Sequence, residues 1–433
     1  MTPEWTGLAG IVLLFVLLFF RLYIGVAMAL VGFLGFSYLS GLQTGLSLFG
    51  MIPYSTASFY SFSIIPLFVL MGQFAFYSGL SHDIYKAVYK WFGHLPGGLG
   101  IATILGCAGF AAISGSSLAT AATMGSVALP EMRKYRYESG LATGSIAAGG
   151  TLGILIPPSI GFVIYGILTE ESVGRLLLAG ILPGLLLAGL YILTIYLLCR
   201  RNPALGPAGP RAPLKERLRS LTGTWGMLLL FVLVMGGIYS GVFTPIEAAG
   251  VGAFGAFAVA VLKGKMGLSE VLSALFDTLR TTGMIFLILI GAEIFTLFLG
   301  VSKLPMFLAD FIGGLELSRY VILSGVLFLY VVLGCVLDGI AMIILTIPIL
   351  FPVIVALQFD PIWFGVLMVI VLEMGLITPP VGLNVFVIGG VAKDVPLVTI
   401  FRGVLPFLVA SAVGLVLIMI FPDIALFIPM QMR

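Results

Sequence analysis

The sequence predicts an all-α polytopic membrane protein, built as an inverted repeat with two re-entrant hairpins and two broken helices. Three observations predict it. Composition is the first: of 433 residues, 60% are hydrophobic and 9% charged, with a mean hydropathy of +1.21, where soluble domains carry about a quarter charged residues. The second is a motif that occurs twice. Gly153-Ile154-Leu155-Ile156-Pro157-Pro158-Ser159 recurs 222 positions later as Gly375-Leu376-Ile377-Thr378-Pro379-Pro380-Val381. Each copy sets glycine and a proline pair inside a long apolar stretch, where a membrane helix loses backbone hydrogen bonds. Leu105-Gly106-Cys107 is likewise matched by Leu333-Gly334-Cys335, and Pro130 by Pro352 at the 222-residue offset. The third is the distribution of basic residues, which places the two copies on opposite sides of the membrane.

The first repeat covers residues 1–199. Spans from about Trp5 to Phe20 and Tyr23 to Leu39 are separated only by Arg21 and Leu22, and a third runs from Ser61 to Tyr77. Ser81 to Gly93 mixes His82, Asp83, Lys86 and Lys90 with Ile84, Val88, Tyr89 and Trp91, a pattern suited to the bilayer surface and read as an interfacial arm. Residues 97–130, rich in Gly, Ala and Ser around Ser114-Gly115-Ser116-Ser117, read as one long span or as a re-entrant hairpin turning at the serines, and the basic flanks favour the hairpin. A broken helix over 140–168 and a span from Arg175 to Leu198 complete the repeat. Residues 200–221 read as a linker bearing Pro, Gly, Arg200, Arg201, Arg211, Lys215, Arg217 and Arg219.

The second repeat, 222–433, restarts from the other side. Spans at Gly223 to Tyr239, Pro245 to Leu262 and Thr282 to Leu299 precede a second arm from Lys303 to Leu317. A hairpin over 320–352, turning near Gly334 to Gly339, a broken helix over 362–390 and a last span from Arg402 to Ile420 follow. With the linker, Lys86, Lys90, Arg133, Lys134, Arg136, Lys263 and Lys265 on the cytoplasmic side, the positive-inside rule puts both termini outside.

Several function classes are excluded. The net charge of +3 is dispersed, which gives nucleic acid no patch to bind. Cys107, Cys199 and Cys335 are too few and too far apart for a metal cluster. No phosphate-binding Gly-x-x-x-x-Gly-Lys-Ser/Thr occurs, no polar stripe or charged ring marks a channel, and His82 and His94 lie outside the apolar runs, which argues against an enzyme. The secondary transporter remains. At Gly153 to Pro158 and Gly375 to Pro380 the prolines free upstream carbonyls, hard oxygens suited to Na+. The helices that restart there and near Ser116 and Gly339 aim their positive ends at one central region, a field that favours an anion. Asp338 and Glu373 are the acids expected at membrane depth, where such groups are functional by default, although Glu373 also fits a structural hydrogen-bonding role. Glu247 and Glu293 are read as helix-end or packing residues.

These residues carry a resemblance. Ala-Ile-Ser-Gly-Ser-Ser, then Gly150 to Ser159, Leu178 to Gly184, Thr244 to Ala249 and Gly375 to Asn384 resemble the large membrane subunit of the tripartite ATP-independent periplasmic (TRAP) transporters, and the resemblance covers essentially the whole chain. It implies a bacterial inner-membrane protein with an elevator-type fold like that of the ion transporter superfamily. It also implies Na+-driven uptake of an organic acid such as a dicarboxylate or sialic acid, a separate small four-helix membrane subunit, and a periplasmic substrate-binding protein. One Na+ site would use Ser114 and the carbonyls of Gly153, Ile156 and Pro158, with Ala111 joining through its backbone. Its mate would use Gly334, Gly375, Thr378 and Val381. Substrate contacts would come from Ser114, Ser116, Ser159, Asp338 and Asn384. A stand-alone carboxylate symporter coupled to Na+ or H+ is the alternative.

Overall fold

The computed structural model describes residues 2–314 and 317–432, and all regular structure among them is helical. Leu315 and Glu316, at the end of the expected second arm, lie outside the described residues. The first two helices, Pro3–Phe19 and Ile24–Ser40, are 17 residues each. At 1.5 Å per residue each reaches about 25 Å, close to the hydrocarbon thickness. The tight turn between them uses Arg21 at φ +62°.

The sequence reading left residues 41–60 unassigned, and they fold as a further helix, Leu42–Ser58, with Pro53 inside it. Gln43, Thr44, Ser47, Ser55 and Thr56 interrupt the apolar pattern and hide this helix from a hydropathy reading. A short 3-10 turn, Tyr60–Ser63, leads into Ile64–Tyr77. In the second repeat the corresponding stretch is one 35-residue helix, Leu268–Ser302. The span expected from Thr282 to Leu299 therefore begins a full four turns earlier than its apolar core. The linker also contains a helix, Leu214–Leu221, and a last one, Asp423–Met430, follows the Leu397–Ile420 span.

The first arm is Leu80–Phe92 and the second Leu304–Gly313. The first hairpin pairs Gly98–Ser114 with Ser117–Lys134, and the second pairs Arg319–Gly334 with Gly339–Ala356. The first broken helix runs Ser139–Gly150, Leu152–Leu155 and Ile160–Thr169; the second runs Pro361–Gly375 and Leu383–Val391. The Pro157-Pro158 and Pro379-Pro380 bonds are both cis.

Small residues set the helix crossings. A Cβ at Gly403 in the last span would lie 1.9 Å from the Gly140 carbonyl oxygen of the first broken helix, and one at Gly144 would lie 2.3 Å from the Gly403 oxygen. Backbone therefore meets backbone there, the close approach that small residues permit between membrane helices. Tyr191, on Ile181–Arg201, adds a buried hydroxyl chain, 2.7 Å from Ser411 Oγ and 3.1 Å from Thr151 Oγ1. A second group of helices closes similarly, with Gly25 and Gly32 against the long helix at Leu287 and Ile294. The two groups meet at Gly72 on Ile64–Tyr77, where a Cβ would lie 3.0 Å from the Ser114 carbonyl oxygen at the first hairpin tip.

Candidate functional site

Each hairpin tip sits on a helix break. A Cβ at Gly153 would lie 2.5 Å from Ser116 O, and one at Gly115 would lie 2.8 Å from Pro158 O, so the first tip rests directly on the first break. In the second repeat a Cβ at Gly375 would lie 2.6 Å from the Gly334 Cα. Ser114, Gly153 and Pro158 are thus brought together around one tip, and Gly334 and Gly375 around the other.

The two breaks are chemically unequal. Pro157 and Pro158 lack the N–H groups that would pair with Gly153 and Ile154 one turn back, and among the described residues no loop or cap N–H donates to the carbonyls of Gly153, Ile156 or Pro158. In the second break the Gly375 carbonyl accepts from Thr378 N at 3.0 Å, and that of Leu376 accepts from Asn384 N at 3.0 Å. Thr378 Oγ1 donates to Met374 O at 2.6 Å. The Ala111 carbonyl accepts from Gly115 N at 3.3 Å. Residues of the first break are all buried, while Pro379 and Pro380 are exposed and Val381 is half-buried. Ile156 is buried beneath Gly184, where a Cβ would lie 2.5 Å from its Cγ1. The donors assembled at both breaks are hard oxygens, hydroxyl or carbonyl, which fits an alkali cation better than a thiolate-binding metal. Among the described residues, no three His, Cys, Asp or Glu side chains cluster as a metal site.

A cavity of about 510 Å³ lies between the first tip and the helices Ile64–Tyr77 and Leu268–Ser302, lined by Gln73, Ser114, Ser116, Thr281 and Asp338 among mostly apolar neighbours. Ser114 Oγ is 2.9 Å from Thr120 Oγ1, which holds the tip in register. Ser116 caps the helix behind it, accepting from Ala119 N at 3.4 Å. Asp338 stands at the equivalent position of the second hairpin, and its Oδ1 accepts from Ile340 N and Ala341 N at 3.0 and 3.1 Å. A second cavity of about 600 Å³ shares Asp338 and Met284 and extends to Arg21. Asp338 therefore borders both cavities.

Two of the expected substrate residues lie elsewhere. Ser159 is fully buried and turns back to accept from Phe162 N at 3.2 Å, so its hydroxyl caps a helix and does not line the cavity. Asn384 is also fully buried. Its amide donates to Ala147 O at 3.5 Å, and its Oδ1 has no partner among the described residues. The capping by Ser116, Ser159 and Asp338 also reduces the anion field expected from restarted helices, because each side chain already occupies one or two of the four free N–H groups. The helix Leu383–Val391 has no side-chain cap.

Sequence reasoning missed Gln73 and Thr281 in the cavity wall and the partner of Glu373. A lone glutamine in the run Ile64–Tyr77 was signal enough for the first. Glu373, 3% exposed, accepts a 2.5 Å hydrogen bond from Ser117 Oγ, while its Oε2 is buried without a partner among the described residues. The second broken helix is thereby fastened to the first hairpin. Ser117→Ala should destabilise the protein by about 1–3 kcal/mol, because the carboxyl would keep its burial and lose its donor. Glu373→Gln, which still accepts from Ser117, should cost less; equal losses in thermal unfolding of the two variants would refute this ordering.

The family model described as "Tripartite ATP-independent periplasmic transporter, DctM component" matches residues 11–424. The chain belongs to this family. The DctM relatives include a Pseudomonas aeruginosa protein named C4-dicarboxylate TRAP transporter large permease protein DctM, 39% identical over 87% of this chain and 88% of that one. Another is the Vibrio cholerae sialic acid TRAP transporter large permease protein SiaM, 34% identical over 84% of this chain and 85% of that one. Among solved structures, the YdaH transporter of Alcanivorax borkumensis has the same fold, with a TM-score of 0.64 over 89% of this chain and 88% of that one at 16% identity. The chain is accordingly a multi-pass membrane transport permease of the tripartite family, and its relatives are transporters, not enzymes.

Proposed function

We propose that this permease carries out Na+-coupled secondary active uptake of an organic acid anion by an elevator movement. In this reading it receives substrate from a periplasmic binding protein and works beside a small four-helix membrane subunit in the bacterial inner membrane. The observation that carries the reading is the pairing of each hairpin tip with a helix break beside one cavity. Such paired discontinuities at corresponding positions of two halves are where secondary transporters bind substrate and coupling ion. The relatives named above carry C4-dicarboxylates and sialic acid in their names, and both are organic acids, so a carboxylate is the proposed cargo.

Ser114 with the carbonyls of Gly153, Ile156 and Pro158 would hold one Na+, and Gly334, Gly375, Thr378 and Val381 a second. Ser114, Ser116 and Asp338 would face the substrate, with Asp338 accepting from its hydroxyl or amine groups. Ser159 and Asn384 would support the breaks from behind. The helices around Gly140, Gly144 and Gly403, with both hairpins, would move as one body past the scaffold helices at Gly72. Basic residues in the linker and beside the first hairpin support a cytoplasmic placement for them and a periplasmic one for both termini.

Uptake into proteoliposomes under separate Na+ and pH gradients, with and without the small subunit and binding protein, tests the reading. Uptake should follow the Na+ gradient and need both partners; uptake by the chain alone would replace it with the stand-alone symporter, and uptake driven only by a pH gradient would replace Na+ with H+ as the coupling ion. Asp338→Ala should lower Na+-driven uptake by roughly tenfold or more, as expected for an intramembrane acid at a binding site. Unchanged uptake would remove Asp338 from the site.

A further inference from the structure

We propose that the linker helix Leu214–Leu221 is an interfacial anchor that binds the anionic headgroup layer of the bilayer. The helix has eight residues. Leu214, Leu218 and Leu221 fall at i, i+4 and i+7, one face, and are 65%, 54% and 43% exposed. Exposed leucines are ordinary on a membrane span, but this helix is not one. It precedes the span Trp225–Tyr239 and meets it at 48°, so it leaves the direction of the span at its end.

The polar side of the helix is already engaged. Glu216 pairs with Lys90 of the first arm at 2.5 Å, and the Trp91 indole donates to Arg217 O at 3.1 Å. These contacts fasten the helix to an arm of the surface-lying type and leave its leucine face uncovered. They also neutralise the one acid of the helix. Lys215 and Arg219 are exposed on one flank of the leucine face, and neither has a carboxylate partner among the described residues. On the other flank, Arg217 Nε donates to Ala212 O at 3.0 Å, while its Nη2 is buried with no acceptor among the described residues.

Leucines flanked by cations, beside a tryptophan, are the pattern of a helix lying in the membrane interface. A protein partner fits less well, since three leucines fall far short of the roughly 1,000 Å² that a specific interface buries. The inference does not depend on ion coupling or substrate.

A spin label at Leu218→Cys tests it in the full chain, because Cys107, Cys199 and Cys335 are buried. In nanodiscs containing phosphatidylglycerol the label should be accessible to oxygen and shielded from a water-soluble nickel complex. In nanodiscs of phosphatidylcholine alone, or with Lys215→Glu and Arg219→Glu added, the oxygen-to-nickel ratio at 218 should fall several-fold, since each cation near an anionic surface is worth roughly fivefold in binding. A label at 218 open to nickel in phosphatidylglycerol would overturn the proposal. Shielding from both reagents would assign the face to a protein, and equal insertion in both lipids would remove the headgroup preference; either result also overturns it.

Discussion

A protein carrying Gly72→Cys and Ser114→Cys should show lower uptake when oxidised than when reduced, while still assembling with its partners. Gly72 belongs to the scaffold helix Ile64–Tyr77 and Ser114 ends the first half of the first hairpin. A Cβ at Gly72 would lie 3.2 Å from the Ser114 Cα, close enough for the two sulfurs to join after small adjustments. If the hairpins and broken helices travel together past the scaffold, a bond here holds them in one position. Uptake should then fall roughly tenfold or more, because alternating access needs both positions. The comparison of oxidised and reduced protein uses one sequence, which separates the lock from any effect of losing the Ser114 hydroxyl. Full uptake in the oxidised, verified disulfide would show that the tip does not move relative to Gly72.

The second large effect is on stability. Gly403→Ala should destabilise the protein by about 1–3 kcal/mol or more, the range for forcing extra atoms into a packed contact. The new methyl would meet the backbone of Gly140 at 1.9 to 3.0 Å, and backbone cannot rotate away as a side chain can. The change would separate the last span from the first broken helix and tilt Gly153 relative to the tip above it, so uptake should fall along with the unfolding temperature. Gly300→Ala is the control, since nothing lies within 4 Å of a Cβ there; it should be neutral or slightly stabilising, as alanine is the better helix former. Equal unfolding temperatures for the two variants would mean that the Gly140 and Gly403 helices separate without cost.

The parts of this architecture that could be read from sequence are those in which local chemistry leaves no choice. Two adjacent prolines stop a helix wherever they stand, so Gly153 to Pro158 and Gly375 to Pro380 were legible as breaks. The run Ser114 to Ser117 was legible as a tip because Gly and Ser break an apolar stretch between basic flanks, and Asp338 stood out as an acid at membrane depth. Side-chain direction was not legible. Ser159 looked equivalent to Ser116 as a substrate contact, yet burial turns its hydroxyl into a cap for Phe162. The Ser117–Glu373 bond joins residues 256 positions apart, on elements that the repeat does not relate to each other, so no internal periodicity announces it. Leu42–Ser58 escaped because its polar residues lower the hydropathy signal without preventing a helix.

The long helix Leu268–Ser302 and its jointed counterpart, Leu42–Ser58 followed by Tyr60–Tyr77, arose at matching places of the repeat but differ as mechanical parts. One is a strut that transmits a push along its whole length. The other has an elbow at Phe59, where φ −69° and ψ 114° leave the helical region and where a push is converted into bending. The two breaks, already unequal in hydrogen bonding and exposure, thus stand among helices that differ in continuity as well.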